Sequence, residues 1–224
     1  MTGKFTALAV VAVCALQAQE ERPDHRMRSA GAVFSEIMRT PDKGIPDALL
    51  RRAECVIIIP GLKKGAFVFG ADYGRGFAAC RHEGRWAAPA AVRIGGGSFG
   101  AQIGLESTDV VMLVMNKRGM ERLASDKFTI GADASGAAGP VGRTAAADTD
   151  ATMRAEILSW SRTHGLFAGI SLDGTVISKD DGEDKKLYGE KVSNHAIIEG
   201  EVPAPPAAHE LIAELDRYAP GPKR

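Results

Sequence analysis

The sequence is poor in cysteine, in net charge and in long apolar runs, and each shortage removes a class of protein. Three cysteines occur in 224 residues. Cys14 falls in a leader-like stretch, and Cys55 and Cys80 alone do not make a zinc site. Lys plus Arg equals Asp plus Glu at 28 each, which argues against a nucleic-acid binder working by bulk attraction. The one sustained apolar run, residues 5–16, is too short to span a bilayer. No internal repeat and no long low-complexity tract is found. What is present, 45% hydrophobic and 25% charged residues, suits a folded chain with one main core.

Charge is unevenly spread. Residues 21–95 hold thirteen basic and eight acidic side chains, and residues 171–201 hold four and eight. Two solvated surfaces explain this as well as a basic end does. At the N-terminus, Lys4 precedes the apolar run and Ala15 and Ala18 offer cleavage positions, so residues 1–19 are read as an export signal. Lipid attachment at Cys14 is disfavoured because Val13 stands where a small residue belongs. Export places Cys55 and Cys80 in an oxidising compartment. Both fall in strands that can neighbour one another, and a disulfide is expected. Residues 20–219 then form one domain, and residues 220–224 a loose tail.

The pattern along the chain is strand-rich. An amphipathic helix is expected over residues 24–40, with Met27, Ala30, Val33, Phe34, Ile37 and Met38 on one face. Pro41 ends it. A short helix follows Pro46. Cys55-Val-Ile-Ile-Ile59 reads as a buried strand stopped by Pro60-Gly61. Strands are expected over residues 66–70, 77–82, 90–94, 110–115, 128–130 and 144–149. Residues 153–188 read as an antiparallel meander of three strands turned at His164-Gly165 and Asp173-Gly174, closed by a helix. Two further helices cover residues 194–198 and 209–218. The fold class is α+β, mostly antiparallel β in a barrel- or sandwich-like sheet, with N-terminal, C-terminal and short connecting helices packed around it.

Residues 95–104, GGGSFGAQIG, contain both a literal G-x-G-x-x-G and a G-x-S-x-G centred on Ser98. Either motif needs a strand before it and a helix after it. Here another strand follows, so the glycines are read as strand positions of close backbone approach. A serine hydrolase of Ser98, Asp173 and His195 or His209 is the weaker rival reading. Asp180, Asp181, Glu183 and Asp184 lack calcium-loop spacing and read as a solvated helix N-terminus. No cofactor is expected.

Several pieces occur together in one order: Leu50-Arg51-Arg52-Ala53, Lys64-Gly65-Ala66-Phe67, Gly74-Arg75-Gly76, Trp86-Ala87-Ala88-Pro89-Ala90, the glycine-rich strand, Thr108-Asp109, Ala138-Gly139-Pro140, SRTHGLFAGISLDG over residues 161–174, and Leu187-Tyr188-Gly189. In that order they resemble the SYLF domain family over residues 24–215. The resemblance implies a mostly β domain that binds phospholipid headgroups or membranes, without catalysis. Eukaryotic members resemble phosphoinositide-binding adaptors, some of which bind actin. The sequence reads as exported and without an SH3 module, so actin is set aside and bacterial-type phospholipid is expected. The expected lipid-facing side chains are Arg26, Arg28, Arg51, Arg52, Lys63, Lys64 and Arg75, helped by the N-terminal helix. Arg81 and Arg143 are weaker candidates. The alternative is a structural or protein-interaction module of the cell envelope.

Overall fold

A computed structural model describes residues 22–40, 44–67, 69–98, 104–142 and 154–221, and side chains at 64–72 and 97–106 fall outside it. The export signal, the strand expected over 144–149, Arg143 and the side chains of Lys64 and Ser98 therefore lie outside the described residues.

Helix α1 (Pro23–Arg39) and the short α2 (Asp47–Arg52) lead into two long strands, β1 (Cys55–Phe67) and β2 (Phe69–His82). These pair antiparallel as a hairpin. After the two-residue β3 (Arg85–Trp86) come β4 (Ala90–Ser98), which pairs with β2, and β5 (Gly104–Val114), which pairs with β1. The hairpin is thus flanked on both sides by the next two strands of the chain. Next come α3 (Lys117–Leu123), β6 (Lys127–Thr129), β7 (Gly136–Ala138), β8 (Ile157–Thr163), β9 (Leu166–Gly169) and β10 (Val176–Lys179). Helices α4 (Asp181–Tyr188), α5 (Asn194–Ile198) and α6 (His209–Tyr218) complete the order. The fold is α+β and mostly antiparallel, as expected.

The sheet runs β6-β10-β4-β2-β1-β5-β8-β7. Its two ends, β6 and β7, are joined by residues 130–135, a link of at most about 25 Å. Eight flat strands would measure about 34 Å across. The sheet is therefore curled, and Ile130 bridges Ala134 where its ends meet. Inside the curl lies one core, with Ile57, Ile59, Ile94, Val110, Met112 and Ile177 buried. On the outer face a second core packs Ile58, Phe77, Val111 and Trp160 against α1, α2 and α6. Both faces of β1 are buried, which explains its unbroken CVIII run.

Two expectations need correction. Pro60-Gly61 does not stop β1. The strand continues through a register shift there, between Ile59 and Leu62 against β5. Pro60 has no N–H to donate and fits a bulge. Gly61, at φ +58°, donates instead to Asp109 Oδ1 at 2.9 Å. Nor do β8, β9 and β10 form a meander. β9 pairs with β8, but β10 pairs with β4 and β6. The Asp173-Gly174 turn sends the chain to the other end of the sheet, and Gly174 N–H bonds Ile130 O at 2.8 Å.

Candidate functional site

Helix α1 lies across the outer face, and its apolar stripe is consumed there. Met27, Ala30, Phe34 and Met38 are fully buried. The helix cannot dip that stripe into a membrane while docked, which corrects the role expected for it. Ion pairs fasten it at both ends. Arg26 donates to Glu183 at the start of α4, and Glu36 accepts from Arg162 on β8. Arg162 also holds Asp109 of β5 at 2.7 Å through Nη2.

The Arg26 end is a cluster. Arg75 on β2 and Arg93 on β4 are cross-strand partners. Such like charges repel, and Asp180 stands between them. Its Oδ2 lies 3.3 Å from Arg75 Nε and 3.6 Å from Arg93 Nε. Asp180 also caps α4, accepting from Glu183 N–H at 3.2 Å. Burial raises the Glu183 carboxyl pKa, and Arg26 opposes the shift. Asp184 is wholly buried and accepts from Ala91 N–H at 2.7 Å. Burial pushes its pKa up to about 7. Asp180, Glu183 and Asp184 are thus buried, the first two bound to arginines, and only Asp181 keeps the solvated position expected of all four. The arginines come from α1, β2 and β4, far away in sequence.

The seven expected cations divide. Arg26 is buried and Arg75 half-buried, both within this cluster. Arg28, Arg51, Arg52 and Lys63 are exposed. They do not gather in one place. Arg51 and Arg52 precede Cys55 at one end of β1, and Lys63 sits eight residues further on, about 25 Å along an extended strand. Arg81 is structural: Nη2 donates to Ala219 O at 2.7 Å and Nε to Ala53 O at 3.1 Å. Its guanidinium stacks on Trp86, 4.1 Å from the ring centre.

Sequence reasoning missed Tyr73 and Arg93. The alternation Tyr73, Arg75, Phe77 puts all three on one face once β2 is read as a single long strand. Tyr73 is 51% exposed and pairs across the hairpin with Lys63. Beyond the ion-paired row, then, the outer face carries a basic and aromatic patch.

Cys55 and Cys80 are direct partners in the hairpin and are joined by a disulfide, Sγ–Sγ 2.09 Å. Ser98 ends β4 in register with Gly70, and the next described element is the strand β5. That is not the strand–turn–helix of a nucleophile elbow. Asp173 accepts from Ser171 Oγ at 2.8 Å in a turn. His195 and His209 are exposed on α5 and α6.

Residues 95–218 match the Ysc84 family model, described as Las17-binding protein actin regulator. An SH3 domain-containing protein of Schizosaccharomyces pombe is 38% identical over 176 residues, covering 77% of this chain and 41% of that protein. Protein YSC84 of Saccharomyces cerevisiae is 34% identical over 182 residues, covering 80% and 39%. The human SH3 domain-containing YSC84-like protein 1 is 31% identical over 189 residues, covering 83% and 55%. The chain therefore spans roughly two-fifths to just over half of the length of these curated relatives. These names overturn the setting aside of actin. That exclusion rested on a missing SH3 module and an export signal, whereas the actin-regulator description belongs to a family model that matches within the β domain itself. The chain belongs to the Ysc84, or SYLF, family.

Proposed function

We propose that this domain is a non-catalytic binding module that meets anionic phospholipid at a membrane surface. One observation carries the reading: Lys63 and Arg93 flank the half-exposed ring of Tyr73 on the part of the outer face beyond the docked helices. Each cation near an anionic surface contributes about 1 kcal/mol. A tyrosine suits the interface because its ring is apolar and its hydroxyl wet. Arg28, Arg51, Arg52 and Lys64 remain candidates for the same contact. Export through residues 1–19, the domain limits 20–219 and a place in the cell envelope belong to this proposal.

Co-sedimentation with anionic and zwitterionic liposomes tests it, with binding expected to the former and weaker at high salt. Lys63→Glu and the pair Arg51→Glu/Arg52→Glu report which end of β1 faces the membrane. No binding to any composition would sink the reading.

A second reading follows from the family match, which lies within this domain. Relatives are named as Las17-binding proteins, and a protein partner, actin or an actin regulator among them, is the alternative ligand. Co-pelleting with filamentous actin separates the two, because a lipid-only module stays in the supernatant.

A further inference from the structure

Beside Tyr73 the sheet carries a trough. In one cross-strand row Gly95 of β4 stands between Tyr73 of β2 and Val176 of β10. Strands lie about 4.8 Å apart, so the two side chains rise roughly 9–10 Å from each other with only backbone between. In the next row Arg93 stands between Arg75 and Ser178. The result is a surface cavity of about 480 Å³, walled by Tyr73 and Val176, floored by Gly95 and Gly96, and closed at one end by Arg93 and Ser178.

The two halves of this cavity ask for different chemistry. The walls are an aromatic ring and an aliphatic branch. A hydrocarbon chain touching both needs about 7–8 Å between them, two contacts of 3.5–4.0 Å, and the trough provides that. The end is cationic. Arg93 is anchored from behind, Nε toward Asp180 and Nη2 donating to Lys179 O at 3.3 Å, yet its side chain stays 46% exposed. Its guanidinium is thus held in place with an open side toward the trough. Lys63, the partner of Tyr73 on the opposite strand, turns its Nζ to Ser107 Oγ of β5 at 3.3 Å, so Arg93 is the cation that lines the trough. Inorganic phosphate would leave the walls unused, and a neutral apolar molecule would leave Arg93 unused. A phosphodiester joined directly to a glyceryl ester uses both.

We infer that this trough seats one anionic phospholipid, its phosphodiester against Arg93 and Ser178 and the start of an acyl chain between Tyr73 and Val176. This rests on the phospholipid reading above and narrows it to one molecule in one place. It differs from a diffuse contact in requiring that Gly95 have no side chain.

The test is a calorimetric titration of the full chain with dihexanoyl phosphatidylglycerol below its micelle concentration. Saturable one-to-one binding is expected. Gly95→Val, which fills the trough without changing charge, and Arg93→Gln should each weaken it about tenfold or more. Inorganic phosphate binding as tightly as the lipid would overturn the inference, showing a charge site only. So would unchanged affinity in Gly95→Val, or no binding by the native chain. Liposome co-sedimentation of the native chain, run in parallel, decides the broader reading separately. Should Gly95→Val fail to fold by circular dichroism, a spin-labelled short-chain phosphatidylglycerol replaces it. Broadening of Tyr73 and Val176 resonances supports the site, and broadening confined to other residues removes it.

Discussion

Arg26 on α1 and Glu183 in the first turn of α4 form a buried ion pair across 157 positions of sequence, with side chains 8% and 1% exposed. Removing one partner of such a pair leaves an uncompensated charge. Arg26→Ala is expected to cost about 3 kcal/mol, read from urea denaturation. Arg75, 3.8 Å from Glu183, still compensates part of the charge, which keeps the loss at the low end of the range for such pairs. The double change Arg26→Met/Glu183→Leu should recover most of the loss, since it removes both charges together.

Asp184 makes stability depend on pH. Its folded pKa is about 7, raised by burial from an ordinary 3.8. Between those values the folded chain keeps a proton that the unfolded chain has lost. The contribution is complete below about pH 4 and fades as pH rises through 7. Its full size is on the order of 4 kcal/mol. Asp184 Oδ2 and Asn194 Oδ1 are both buried without a hydrogen-bond partner among the described residues. Chemical denaturation at pH 5.5 and pH 8 should show higher stability at the lower pH, and Asp184→Asn should flatten the difference.

Gly139 is fixed by contact. A Cβ there would lie 2.0 Å from Trp160 Cε2, and one on Gly169 would lie 2.0 Å from Gly139 O. The Trp160 indole donates to Pro140 O at 3.0 Å and cannot retreat without breaking that bond. Gly139→Ala and Gly169→Ala should each lower stability by about 1–3 kcal/mol. Thermal melts measure the loss, and an altered tryptophan emission would locate it.

Cys55 and Cys80 close a loop of 25 residues. Reduction, or Cys55→Ala with Cys80→Ala, should cost about 3 kcal/mol. Mass spectrometry with and without reductant reads the bond directly, and two free thiols in protein purified without reductant would remove this expectation.

Local pattern carried much of the fold. The CVIII run announced a buried strand, and Leu211, Ile212 and Leu215 marked a helix at residues 209–218 that the structure reproduces. What escaped was long-range. Alternation identifies β10 as a strand but not its neighbours, so its pairing with β4 was illegible beside the tempting Asp173-Gly174 turn. The lysines beside the acidic run at 180–184 suggest only a solvated helix start, because the arginines that bury it, Arg26, Arg75 and Arg93, arrive from 87 to 154 residues upstream of Asp180. Tyr73 was hidden because β2 runs further than the glycines around it suggested, and Arg93 because its expected strand did not disclose its neighbours Arg75 and Ser178.

Helix α1 closes against α6: Phe34 meets the Tyr218 ring edge-on at 6.2 Å, and Arg39 reaches Glu214 at 3.4 Å. The first described helix therefore gains its final shelter only from the last. Strands β1 and β2 cover one side of its apolar stripe, and the side that faces α6 is covered only once residues 209–218 have docked.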